Sequence, residues 1–384
     1  MRAPALACAA RLCLICPQRQ GPAIPTPARD KPRDAIDALT SLRFFAAFYV
    51  LFLHSGTSAL ILTGRMPKLA ENFLLNGYLG VSFFFVLSGF ILTYVYRGAM
   101  AGEGALPRFF LARFARIYPV YLLSLLLLLP LVPCAGAAAC GPQFVLLQMW
   151  LPLGSGWWQN TNGPAWTLSV ELLFYLAFPW LLAALECLSA RQLMLAAMAI
   201  CALMVAGRLP AISGMDQAAY PFMAHIPAPV LRLPEFAYGI CLGLIFLAGS
   251  RRGDLPFAPH LAIAATVAAL CASRSLWVAP LAAILFGIVI FAVAAWMRPG
   301  LLARLLSSRA MVLLGGASYS LYVMQSPVRE WVRFLFAGPL ESSGRLVFLP
   351  LMIAISILVF LWFEEPARAL IKAAGRRRAS LPAR

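Results

Sequence analysis

Apolar runs of close to twenty residues recur along almost the whole of this chain, and that is the length an α-helix needs to cross a bilayer. Ten such segments can be counted, at 36–56, 79–96, 117–133, 167–187, 190–207, 234–249, 260–276, 278–297, 311–326 and 345–363. Of the 384 residues 62% are hydrophobic and only 12% charged, with a mean hydropathy of +0.83. A soluble protein carries about twice that charged fraction. The expected fold is all-α, a polytopic transmembrane helical protein of ten spans, with no stretch left over for a separate soluble domain. Residues 144–153 are apolar but too short to cross, and read as an interfacial or re-entrant piece.

The basic residues set the expected orientation. With the amino end inside, 19 Lys and Arg fall in inner loops and ends and 8 in outer ones, omitting Arg43 and the first 28 residues. Short cytoplasmic loops concentrate positive charge, so both termini are expected in the cytoplasm. The net charge of +17 therefore reports topology and contact with the bilayer, not nucleic acid, because no soluble basic module exists to carry it. Residues 1–34 read as a disordered or misassigned extension, since Arg11 interrupts the signal-like core and no clear cleavage motif follows. Residues 35–366 form the membrane domain and 367–384 a basic tail.

Nine cysteines show no zinc spacing, and three histidines make a metal site improbable. Cys13 and Cys16 have CxxC spacing without a redox-fold context. Cys134 and Cys140 share one short loop and would suit a disulfide in an oxidising compartment.

Ionisable residues inside spans are costly and are functional candidates by default. Arg43 and His54 share one face of the first span, eleven residues or roughly 16 Å apart. Snorkelling and interfacial capping are the structural alternatives for the two. Arg113 and Arg116 lie three apart, on one face, just before the third span; they read either as positive-inside anchors or as an anion site for a phosphorylated ligand. Glu171 lies one turn inside the fourth span with Tyr175 a turn further on. By depth it is a candidate to orient His54 as a general base. Ser318, Tyr319, Ser320, Tyr322 and Gln325 put a polar face into the ninth span, suggesting a cavity or helix–helix hydrogen bonds. Gly80, Ser82, Ser88 and Gly89 read as close-packing positions. Trp157, Trp158 and Trp166 are candidates to stack on sugar rings or to anchor at the interface.

On these residues the chain resembles the bacterial acyltransferase-3 family of membrane O-acyltransferases, over about residues 36–366. The motifs are Arg43-x10-His54, FFFVLSGF, Arg113-xx-Arg116 followed by IYP, WTLSVE ending at Glu171, SYSLY around Tyr319, and FEEPAR at Glu364 to Pro366. The resemblance implies transfer of an acyl group, usually acetyl, from cytoplasmic acyl-CoA to a hydroxyl of a cell-surface or lipid-linked glycan, in the bacterial cytoplasmic membrane. It implies His54 as the catalytic residue, and Arg43, Arg113 and Arg116 as serving activity through the acetyl-CoA or other acyl-CoA donor. Beside it, Glu171 is the expected catalytic partner, Trp166, Tyr175 and Tyr322 are the acceptor-side candidates, and no metal is expected. Gln325 stands where many members have histidine, and cannot act as a base. The chain stops soon after the tenth span, which predicts a stand-alone membrane domain. The rival reading is a transporter or flippase of lipid-linked sugar with His54 and Glu171 as a proton relay; a structural membrane subunit is a third.

Overall fold

A computed structural model describes residues 33–55, 66–100, 102, 104–132, 137–150, 162–207, 227–249, 255, 257–275, 277–296, 298–336 and 342–379. The regular structure there is helical: α1 Arg33–His54, α2 Lys68–Leu75, α3 Gly80–Tyr96, α4 Ala105–Leu128, α5 Ala137–Phe144, α6 Trp166–Glu186, α7 Ala190–Ala206, α8 Ala228–Leu247, α9 Ala258–Ala272, α10 Val278–Trp296, α11 Leu301–Leu306, α12 Arg309–Gly316, α13 Ser318–Leu335, α14 Ser342–Val359 and α15 Glu365–Ala379. Short 3₁₀ turns lead from α2 into α3 and into α6, and a π turn, Phe360–Glu364, joins α14 to α15. Residues 1–32, Cys134, Trp157 and Trp158 lie outside the described residues. Cys140 is disulfide-bonded.

Seven of the described helices or joined helices are long and apolar enough to cross a membrane. The apolar helices α7 and α9 are shorter, at 17 and 15 residues. The third segment begins at Ala105 and not near 117, which places Arg113 and Arg116 inside a 24-residue helix. Charge cuts an apolar window short in sequence, but it does not stop a helix whose charged side chains turn inward. The ninth segment is split between α12 and α13, and α13 continues to Leu335 through Pro327. Composition alone does not mark α13 as a span, because Ser318 through Val328 is buried and its polar groups face protein.

The tightest crossing is between α3 and α8. A β-carbon on Gly89 would strike the Phe236 carbonyl, and one on Gly239 would strike that of Val86. Without a hydrophobic drive between helices in lipid, small residues permit the close approach that packing requires. Two apolar cores flank this pair. One joins residues of α1, α3, α4, α6, α8 and α13, with Phe174 stacked on Phe236 at 4.5 Å. The other draws on α1, α3, α8, α9 and α10.

Just after α5 the backbone leaves helical geometry at Leu146. Leu146 has φ 61°, uncommon for a non-glycine residue, and is only 8% exposed. Side chains satisfy its surroundings: Ser169 Oγ donates to Leu146 O at 2.6 Å, and Tyr121 OH to Gln143 O at 2.7 Å. Irregular backbone within a helical bundle is tolerated where protein supplies such partners.

Candidate active site

His54 is the last residue of α1 and is exposed. Its Nδ1 lies 3.2 Å from Gln325 Oε1. Gln325 is 2% exposed, and its Nε2 donates to Tyr322 O at 2.8 Å. That second bond decides which end of the amide faces the histidine. An acceptor at Nδ1 requires the Nδ1–H tautomer, which leaves Nε2 with the lone pair. The ring is thus oriented as a base would be, by a residue that is not itself ionisable.

Below Gln325, Tyr322 OH donates to Pro164 O at 2.8 Å, and Asn162 Nδ2 donates to Val323 O at 2.8 Å and to Ser124 Oγ at 2.9 Å. These bonds draw the turn before α6 into the bundle. Glu171 consequently sits at the level of Arg43, where both line a cavity of 50 Å³ together with Thr167, Ser318, Tyr319 and Tyr322. Glu171 accepts from Tyr175 OH at 3.1 Å. The expectation that Glu171 orients His54 is therefore corrected. Arg43 and His54 are about 16 Å apart along α1, and Glu171 belongs with the arginine.

Arg113 and Arg116 are likewise deeper than their sequence position implied. The Arg113 guanidinium lies over the rings of Tyr96 and Tyr175, at 5.4 and 5.7 Å, and donates to Tyr96 OH at 3.2 Å; its Nε is buried without a partner. Arg116 is ion-paired with Glu364, which is 1% exposed and also accepts from Ser320 Oγ at 2.7 Å. Tyr319 lies under Arg116 at 5.4 Å, and its hydroxyl donates to Ile117 O at 2.6 Å. The π turn ending at Glu364 carries this carboxylate between α4 and α13; such turns often mark functional sites.

Three arginines and two glutamates thus share one interior region on α1, α4, α6 and the α14–α15 junction, leaving one formal positive charge over. In a low-dielectric interior that excess attracts an anion far more strongly than it would in water. Tyr175 is 8% and Tyr322 6% exposed, both within this interior, while Trp166 lines a separate, larger cavity. Sequence reasoning missed the structural parts of Gln325 and Glu364. A carboxylate inside the run FLWFEE was the available signal for Glu364; nothing local marked Gln325 as the partner of His54.

The model of the acyltransferase domain family matches residues 36–365 of the chain. The chain is 30% identical to acyltransferase MdmB of Streptomyces mycarofaciens over 380 residues, covering 89% of this chain and 93% of that protein. It is also 37% identical over 91 residues to protein 2 in picA locus of Rhizobium radiobacter, covering 23% of this chain and 41% of that protein. No solved structure matches. With nearly the whole helical bundle inside the matched region, the chain belongs to the acyltransferase-3 family and is a membrane enzyme that transfers acyl groups.

Proposed function

We propose that the enzyme moves an acyl group, acetyl in the simplest case, from acyl-CoA on the cytoplasmic side to a hydroxyl of a cell-surface or lipid-linked glycan. The setting is the bacterial inner membrane, with ten crossings and both ends inside. The observation that carries the reading is the His54–Gln325 pair, which leaves an exposed imidazole Nε2 able to accept a proton. His54 removes the proton of the acceptor hydroxyl as its oxygen attacks the thioester carbonyl. The C–S bond then breaks, and the leaving thiolate takes the proton back from the imidazolium.

The donor's anionic end suits the arginine-rich interior. Arg116 is already neutralised by Glu364, so the net attraction comes from Arg43 and Arg113, with Glu171 and Tyr175 holding them in place. The unpartnered Arg113 Nε and Ser318 Oγ are donors that a bound thioester arm or phosphate would satisfy. The 50 Å³ cavity at Arg43 does not include His54, so the donor's reach from one to the other widens a path packed between α1 and α13.

Proton NMR of the purified surface glycan tests the reading. Cells carrying the wild-type enzyme are expected to show O-acetyl signals that His54→Ala lowers by about 10²–10⁴-fold in rate, with the variant still inserted in the membrane. Full acetylation by His54→Ala would sink the assignment.

A further inference from the structure

A second cavity, of 750 Å³, lies within the size range of small-molecule sites, and the mechanism above leaves it unused. It opens at the same end of the bundle as His54. Trp166, on its wall, directly follows the turn whose Pro164 carbonyl is held by Tyr322, and Tyr322 lies one turn below the residue that orients His54. Phe85, which lines the small cavity beside Arg43, meets Trp166 edge-on at 6.3 Å. The two cavities therefore share an aromatic partition.

The lining is mostly apolar, including Met149, Val230 and Ala279, but it holds one charged pair. Arg232 donates to Glu235 Oε1 at 2.7 Å, and its guanidinium lies over the Trp166 ring at 5.9 Å. Glu235 is 7% exposed and accepts also from Ser82 Oγ at 3.2 Å, yet its Oε2 is buried with no hydrogen-bond partner. An ion pair kept inside a membrane-spanning helix marks a functional site by default, and a buried acceptor left empty calls for a donor.

We propose that this cavity binds the acyl acceptor, and that the acceptor is an amphipathic hydroxyl-bearing molecule, a sugar ring joined to an apolar moiety. The Trp166 face packs on the C–H face of the ring. Glu235 Oε2 accepts a hydrogen bond from a ring hydroxyl, further Arg232 N–H groups donate to ring oxygens, and the apolar wall takes the attached chain. This rests on the acyl-transfer reading above and adds to it where the acceptor sits and what kind of molecule it is.

Photolabelling tests the site. Wild-type protein in lipid nanodiscs, treated with octyl β-D-glucoside bearing a diazirine on the sugar and kept below its micellar concentration, is expected to be labelled on peptides containing Met149, Trp166 or Met204. Excess unmodified octyl glucoside should compete the label away. Glu235→Gln should lower labelling by about tenfold, the effect of losing one charge-assisted hydrogen bond. Val230 is exposed, so Val230→Trp narrows the cavity without touching the charged pair, and serves where Glu235→Gln fails to fold. Labelling confined to other peptides, or unchanged in the variants, overturns the proposal. Thiol release from acetyl-CoA in the presence of octyl glucoside, compared between wild type and His54→Ala, separates the two readings. If that release is His54-dependent while the label falls elsewhere, only the acceptor cavity is wrong. If release is independent of His54, the acyl-transfer assignment fails, and the acceptor role fails with it.

Discussion

At the scale of single residues, His54 is fixed by a neutral amide, and this has kinetic consequences. Gln325→Leu removes the acceptor at Nδ1 and lets the imidazole sample both tautomers and other orientations. One lost hydrogen bond of about 1–3 kcal/mol corresponds to a fall in kcat of roughly 10–100-fold. The donor KM is expected to hold, because the arginines lie elsewhere. Steady-state kinetics on the purified enzyme would show this, and an unchanged kcat would mean that Gln325 does not position the base. The buried pair Arg116–Glu364 gives a stability prediction instead. Glu364→Gln strands a guanidinium in the bundle at a cost of about 3–5 kcal/mol, whereas replacing both residues by methionine recovers most of that. Thermal unfolding in detergent of the single and double variants would distinguish the two. The chain announces His54, Arg43 and the RxxR pair because each interrupts an apolar run. Their partners are silent in sequence: His54 meets a residue 271 positions away and Arg116 one 248 positions away. No local pattern encodes a pairing of that kind, so depth along the helices was the only guide to Glu171. That guide misled once the turn before α6 was drawn into the protein.

At the scale of elements, the glycines carry the packing. Gly89 and Gly239 face each other's helix at the α3–α8 crossing, where an added methyl on either would meet backbone carbonyl rather than a yielding side chain. Gly239→Ala therefore has to push the helices apart, and overpacking of this sort costs about 1–3 kcal/mol. A lowered unfolding temperature is expected in detergent, with a further loss of transfer because α3 also carries the wall residues Val81, Phe84 and Phe85 of the cavity beside Arg43. Wild-type stability in Gly239→Ala would show that the crossing has slack. The small-residue pattern around Gly80 and Gly89 was readable in the sequence as close packing. Its counterpart, Gly239 with Gly243 four residues on, has the small-residue spacing of a close approach too, but only the crossing shows that the helix it meets is α3, at Val86 and Phe90.

At the scale of the whole molecule, the helix ends that meet bear on the expected number of crossings. Trp166 begins α6 and Arg232 lies near the start of α8, and the two side chains touch. Phe174 of α6 then stacks on Phe236 of α8. Helices that start together and run side by side in the same direction need a return path between them, and among the described residues α7 is the helix available. Its 17 residues span about 25 Å, close to the thickness of the hydrocarbon core. The same reasoning applies to α9: Asn72 and Asn76, at the α2–α3 entrance, donate to carbonyls of Leu270 and Cys271 at the far end of α9. Short as they are, both helices are expected to cross, with the orientation expected from the basic loops of the sequence. Reporter fusions after residue 206 and after residue 247 test this. A phosphatase that is active only outside should be active at the first site and inactive at the second, while a fluorescent protein that folds only inside should show the reverse. If α7 did not cross, both assignments would invert. Arg232 and Glu235 would then lie on the cytoplasmic side, opposite His54, and the acceptor cavity would lose its access to the catalytic base.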